Sequence, residues 1–288
     1  MEWRGRRQSN NVEDRRLSGS GGSSGRRGAS VGGGLGLVAI VVVGWFFGVD
    51  LTPLLNGGGT QGPATNQGPL SADEQAAGDF VAVTLADTEE IWAKIFQEQI
   101  GQTYDPATLV LYRGVPASGC GDASGATGPF YCPQDQKVYL DTEFFDTMAN
   151  ELGAKGDFAM AYVVAHEIGH HVQDELGILT EANTMRARVS EADSNAISVR
   201  IELQADCLAG IWGREVQAQF GVIQPGDFEE AFNAARKIGD DTLQRNAGRV
   251  PMPDSFTHGT SAQRSKWFKI GLDTGELSAC DTFAIKTP

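Results

Sequence analysis

From Val31 to Val49 the chain carries no charged side chain. The run VGGGLGLVAIVVVGWFFGV holds 19 residues and stops at Asp50. At about 1.5 Å per helical residue it is long enough to cross a bilayer core of roughly 30 Å. Trp45, Phe46 and Phe47 lie near its end, where aromatic side chains suit a membrane interface. The run divides the chain into two unlike parts. Residues 1–30 carry seven arginines against three acidic residues and are otherwise rich in Ser and Gly. Such a segment buries too little apolar surface to offset its ordering entropy, so it is expected to be a disordered basic tail. Its arginines place it in the cytoplasm by the positive-inside rule. A cleaved signal peptide is the alternative, but no small-x-small cleavage site closely follows the apolar core. Residues 31–50 are then a single transmembrane helix in the lipid bilayer, and 51–70 a Gly/Pro-rich linker. Residues 71–288 form a domain outside the cytoplasmic membrane. With a net charge of −14 over 288 residues, nucleic acid is not an expected partner.

Past the linker, Ser71 followed by Glu74 has the spacing of a capping box. The helix it opens draws its apolar face from Phe80, Val83, Leu85, Ile91, Trp92, Ile95 and Phe96. Leu109–Tyr112 and Val138–Leu140 read as short strands. Residues 157–176 read as a helix ended by Gly177, 183–220 as one or two helices, 228–247 as another, and Lys266–Ile270 as part of a short one. The order predicts an α+β fold, mostly helical with a small sheet. Four cysteines fit two disulfides in an oxidising compartment. Cys120 and Cys132 share a Gly/Pro-rich loop and are expected to pair. Cys207 and Cys280 then pair by elimination, the alternative being buried thiols.

The chemistry concentrates in one helical stretch, Phe158 to Asp174, which contains His166-Glu167-Ile168-Gly169-His170. Residues four apart share a helix face, so His166 and His170 can hold one metal ion together. Neutral imidazoles suit Zn²⁺. Glu167 falls beside that face, placed to take a proton from a water made acidic by zinc. A catalytic zinc needs a third protein ligand and one open position. Gln173 and Leu176 stand where a second glycine and a third histidine would continue the metzincin pattern, so that class is excluded. The segment Glu202-Leu-Gln-Ala-Asp206 instead offers Glu202 as third ligand, with Asp206 on the same helix face to hold a ligand histidine through its far nitrogen. Glu191 and Asp193 are rival ligands without that partner spacing. His171 points away from the ligand face and reads as a surface or core residue. His258 sits alone in a turn, where it either assists an oxyanion or belongs to a helix-capping turn. Tyr104, Tyr131, Tyr139 and Tyr162 are candidate electrophiles that the sequence does not rank.

Several separate motifs then converge. Gly128-Pro-Phe-Tyr-Cys-Pro133, Val138-Tyr-Leu-Asp141, His166 to Gln173, Glu202 to Cys207 and His258-Gly-Thr-Ser-Ala-Gln-Arg264 together resemble the bacterial putative neutral zinc metallopeptidase family. The resemblance implies a zincin-like domain with a small sheet beside the active-site helix, and Val138–Leu140 as the edge strand that pairs with extended substrate. The expectation is a membrane-anchored metallopeptidase of the gluzincin kind acting on peptides or proteins. Zn²⁺ is held by His166, His170 and Glu202, and Glu167 is the base. Two other readings stay open: a zinc-binding adaptor of the cell envelope without catalysis, and a zinc hydrolase of cell-wall amides.

Overall fold

The computed structural model describes residues 1–17, 68–113, 116–122 and 128–288. The expected membrane span at 31–50 and nearly all of the linker lie outside the described residues. Among the described residues no helix is long and apolar enough to cross a membrane.

The order of elements confirms an α+β chain. Strand β1 (Val12–Asp14) precedes the long helix α1 (Ala72–Ile95), which runs on through a π-turn at Phe96–Ile100. Strands β2 (Thr108–Tyr112), β3 (Ala117–Ser118), β4 (Gly121–Asp122), β5 (Phe130–Cys132) and β6 (Lys137–Asp141) follow. The rest is helical: α2 (Glu143–Asn150), α3 (Asp157–Glu175), α4 (Ile178–Arg186), α5 (Glu191–Phe220), α6 (Asp227–Lys237), α7 (Asp240–Asn246) and α8 (Ser261–Thr274). The single helix expected over 228–247 is broken at Ile238 and Gly239. There a Cβ on Gly239 would meet the Ser261 backbone at 2.4 Å, so the chain turns hard against α8. The short C-terminal helix is longer than expected because Thr260 and Gln263 form a capping box at its start. Ser71 and Glu74 form the expected box on α1.

The main sheet runs β1-β2-β6-β5, with β1, β2 and β6 parallel and β5 antiparallel to β6. Side chains alternate as the pleat requires. Leu109, Leu111, Val138 and Leu140 face the helical core, while Val110, Tyr112, Tyr139 and Cys132 form a smaller cluster on the other face. Helix α3 lies in that core with Phe158, Ala159, Ala161, Tyr162, Val164, Ala165 and Ile168 at 0 % exposure. A helix apolar nearly all round is a buried one.

Two expectations are corrected. Val138–Leu140 is not an edge strand: β6 lies between β2 and β5, and the edge on that side of the sheet is β5. Its three residues are too few to announce a strand by alternation, and it forms because β6 supplies the ladder from Phe130–Tyr139 to Cys132–Lys137. The basic tail is not disordered over residues 1–17. β1 pairs with β2, and the arginines find carboxylates: Arg6 binds Asp87 at 2.7 and 2.8 Å, and Arg7 reaches Glu89 at 3.2 Å. Trp3 packs edge-on against Phe80. Backbone pairing and ion pairs with an acidic domain supply what apolar burial alone does not.

Both expected disulfides are present, Cys120–Cys132 and Cys207–Cys280. The second ties α5 to the C-terminal turn beside a very close helix crossing. A Cβ on Gly271 of α8 would stand 1.8 Å from the carbonyl oxygen of Cys207, and one on Gly210 of α5 would stand 2.1 Å from that of Phe268. Backbone thus meets backbone. Gly271→Ala is expected to lower stability by about 1–3 kcal/mol through overpacking. That corresponds to a fall in Tm of roughly 2–12 °C, readable by calorimetry.

Candidate metal centre

Three helices and one turn build the site. Helix α3 carries His166, Glu167 and His170 on consecutive turns. Helix α5 crosses it and brings in Glu202 and Asp206. The crossing is close because position 169 is glycine: a Cβ there would lie 3.1 Å from the carbonyl oxygen and 3.2 Å from the Cα of Ala205. Nε2 of His166 stands 3.1 Å from Oε2 of Glu202, and Nε2 of His170 stands 3.5 Å from Oε1 of the same carboxylate. One donor atom from each of the three lies within 4.8 Å of the others. Two imidazole nitrogens and one carboxylate oxygen are a donor set that Zn²⁺ accepts.

The remaining ring nitrogens are also held. Nδ1 of His170 is 2.9 Å from Oε1 of Gln173, whose amide nitrogen donates to the Ile201 carbonyl and to Oε1 of Gln204. Nδ1 of His166 is 2.9 Å from Oδ1 of Asp206, off the line that a hydrogen bond requires but within ion-contact range. Asp206 is fully buried and takes two bonds from Arg264, at 2.8 and 2.9 Å, and one from the Tyr162 hydroxyl at 2.5 Å. Such outer partners fix the tautomer and aim the free nitrogen.

The electrostatics follow from burial and these neighbours. Burial alone would lower the His166 pKa, but Asp206 and Glu202 outweigh it and raise it to about 10 in the metal-free chain. Burial works to raise Glu202, yet the charges of His170 and His258 and the bond from His166 hold it well below the usual carboxylate range. Glu167 is pushed up by burial, against the opposing pull of His170 and His166. A cluster carrying carboxylates with a proton on His166 is one in which a cation can replace that proton.

All of this opens into a cavity of about 460 Å³. His166, Glu167, His170, Glu202 and Arg264 line it, together with Phe130 and Tyr131 of the edge strand. Thr257 and His258 also line it. The His258 turn is organised by Asp240. Its Oδ2 accepts the backbone N–H groups of Thr257, His258 and Gly259 at 2.9, 2.7 and 2.9 Å, and its Oδ1 lies 3.2 Å from Nδ1 of His258. The His258 side chain is 37 % exposed. Burial acts to lower its pKa, but Glu202 and Asp240 raise it.

The sequence-derived residues thus meet in one place: His166, Glu167, His170, Glu202, Asp206 and His258. The rivals Glu191 and Asp193 are exposed in the first turn of α5, where Asp193 bonds the N-cap Ser190. His171 is a core residue, 3.2 Å from the Tyr131 hydroxyl and 2.7 Å from the Asp105 carbonyl. The hydroxyls of Tyr131, Tyr139 and Tyr162 are engaged by Asp174, Asp135 and Asp206. Gln173, Asp240 and Arg264 are site residues that the sequence pattern does not single out. The i,i+3 spacing of His170 and Gln173 carried a usable signal for the first. A second carboxylate cluster, Asp157, Asp227 and Glu230, lies apart. The α-ammonium of Met1 sits there, 2.5 Å from Asp157 and 3.1 Å from Asp227.

Two outcomes are expected. Zinc uptake by the metal-free chain near pH 7 releases about one proton, from His166, and apparent affinity rises up to tenfold per pH unit until it levels near the His166 value. The sign follows from a histidine raised above its ordinary value. Its charged form stabilises the metal-free fold fully below about 6.5, and that contribution is lost as pH rises through about 10. Titration calorimetry in buffers of different ionisation enthalpy counts the proton. Arg264→Gln leaves Asp206 buried without its main counter-charge and is expected to cost about 3–5 kcal/mol, measured by denaturant unfolding.

Comparison with known proteins gives the family. A family model described as putative neutral zinc metallopeptidase matches residues 1–283. The uncharacterized protein YpfJ of Escherichia coli (strain K12) is 50 % identical over 287 residues, covering 98 % of this chain and 99 % of its own. The uncharacterized protein Rv2575 of Mycobacterium tuberculosis (strain ATCC 25618 / H37Rv) is 41 % identical over 191 residues, covering 63 % of this chain and 64 % of its own. No solved structure is significantly similar. The chain belongs to the putative neutral zinc metallopeptidase family, whose cofactor is Zn²⁺.

Proposed function

We propose that the chain hydrolyses peptide bonds in peptides or proteins with a gluzincin-type site. His166, His170 and Glu202 hold the zinc, and Glu167 is the general base. The observation that carries the reading is the convergence of the three donor groups beside Glu167 in the lining of one open cavity. Three protein ligands are the number a catalytic zinc takes while keeping one position open. When bound, zinc polarises a carbonyl and makes water acidic enough to ionise near neutral pH.

The chain's own groups do the rest. Glu167 accepts the proton of the attacking water and delivers it to the leaving amine. Asp206 and Gln173 keep the two imidazoles aimed at the metal, and Arg264 and Tyr162 keep Asp206 in place. His258, braced through Nδ1 by Asp240, offers its other nitrogen as a donor to the developing oxyanion. The strand β5 supports a peptide rather than another amide, because an extended backbone can add as a further strand to the side that no described strand occupies. Cys132 fixes that strand to the β3–β4 hairpin through Cys120. Two disulfides also favour work outside the cytoplasm.

Glu167→Gln is expected to lower kcat at least about 100-fold while zinc per chain stays the same. Full activity in this variant would sink the mechanism. Peptide libraries and purified wall material, offered side by side, test the substrate class. Cleavage of wall material alone would replace the peptide reading. His258→Ala is expected to lower kcat by about 100-fold with a smaller change in KM, as the loss of an oxyanion donor does.

A further inference from the structure

Residues 1–17 are a working part of the peptidase fold. β1 extends the sheet beside β2 in the register Val12–Leu109, Glu13–Val110 and Asp14–Leu111. Leu109 donates its N–H to Asn11, Arg15 donates to Leu111, Ser9 to Ala82 of α1, and Glu2 to Val222 after α5, all at 2.8–2.9 Å. The Arg16 side chain, 1 % exposed, bonds the Glu74 carbonyl and lies over Gly78. A Cβ at Gly78 would stand 2.4 Å from its Nη2. The bare face of α1 at Gly78 is therefore a seat for this arginine. The family match begins at residue 1, so the arm belongs to the family pattern.

The two described flanks of the apolar run also meet at one corner. Arg113 bonds the carbonyl of Gly68 at 3.2 Å and the carboxylate of Glu74, the residue whose carbonyl Arg16 holds. Leu17 and Gly68 thus leave the same body close to each other. A single crossing of the membrane by residues 31–49 would put them on opposite sides. Two crossings would need roughly twice the residues that the run contains.

We infer that residues 1–17 and the metal site lie on the same side of the membrane. This replaces the cytoplasmic placement of the N-terminus drawn from its arginines. With the arm on the far side, β2 would be left as an exposed edge and Asp87 without Arg6, the cation it meets in the fold.

All four native cysteines are disulfide-bonded, so one engineered cysteine is the chain's single thiol. Gln8→Cys in the arm and Glu229→Cys in α6 fall at exposed positions. Asn10→Cys and Lys266→Cys form a second exposed pair. Each is made alone in the full chain and probed in spheroplasts with a membrane-impermeant maleimide, before and after permeabilisation. The expected result is that arm and domain positions behave alike, both labelled at once or both only after permeabilisation. An arm position and a domain position that differ, with one labelled in sealed spheroplasts and the other protected, would overturn the inference.

Discussion

A single buried carboxylate holds the helical half of this protein together. Asp206, on α5, has no exposed surface, and three groups from two other helices close on it: Tyr162 and His166 from α3 and Arg264 from α8. Burying a charge is costly unless it is paired and bonded. Here burial works to raise the Asp206 pKa, and Arg264 and His166 overcome it, so the carboxylate stays ionised. The ionised form is the one that can hold a ligand histidine. The same ion pair that docks α8 onto α5 therefore sets the orientation of His166. Stability and the placement of the His166 side chain share one interaction, and a change at Arg264 acts on both.

Close helix contact is what allows that hub to form. Gly169 lets α3 approach α5, and Gly210 and Gly271 let α5 approach α8. With larger residues at these crossings the helices would stand apart, and the distances among Glu202, the two histidines and Asp206 would open together. The Cys207–Cys280 bond sits beside the tighter crossing. Closing a chain loop of 73 residues restricts the unfolded state by on the order of 4 kcal/mol in the chain-entropy account.

The N-terminal arm shows how charge can do what apolar content cannot. Residues 1–17 read as a tail because few of their side chains are large and apolar. The domain they meet is acidic, and Asp87, Glu89 and the Glu74 carbonyl receive Arg6, Arg7 and Arg16. Three backbone pairings along β2 complete the docking. An arginine cluster beside an apolar run has two physical uses, as a topology signal or as a set of ion-pair donors, and composition does not distinguish them.

The sequence by itself marked the candidate donor residues and most of the helices. A five-residue motif on an apolar helical pattern specifies ligand spacing through 3.6-residue periodicity, and Glu202 with Asp206 follows the same rule on a second helix. Capping at Ser71 and the glycine stop at Gly177 were legible because they are local. What only the tertiary structure decided involves partners far apart in the chain. β5 is an edge because β6 already pairs with β2 on its other side. Gln173, Asp240 and Arg264 serve the site because α5 and the 257–259 turn come to them. The arm is ordered because of an acidic surface more than 60 residues away in sequence. Periodicity and capping act over one or two turns of chain, and a sequence displays them directly. Ion pairs, sheet order and helix crossings depend on which distant surfaces fold together, and only the assembled core fixes that.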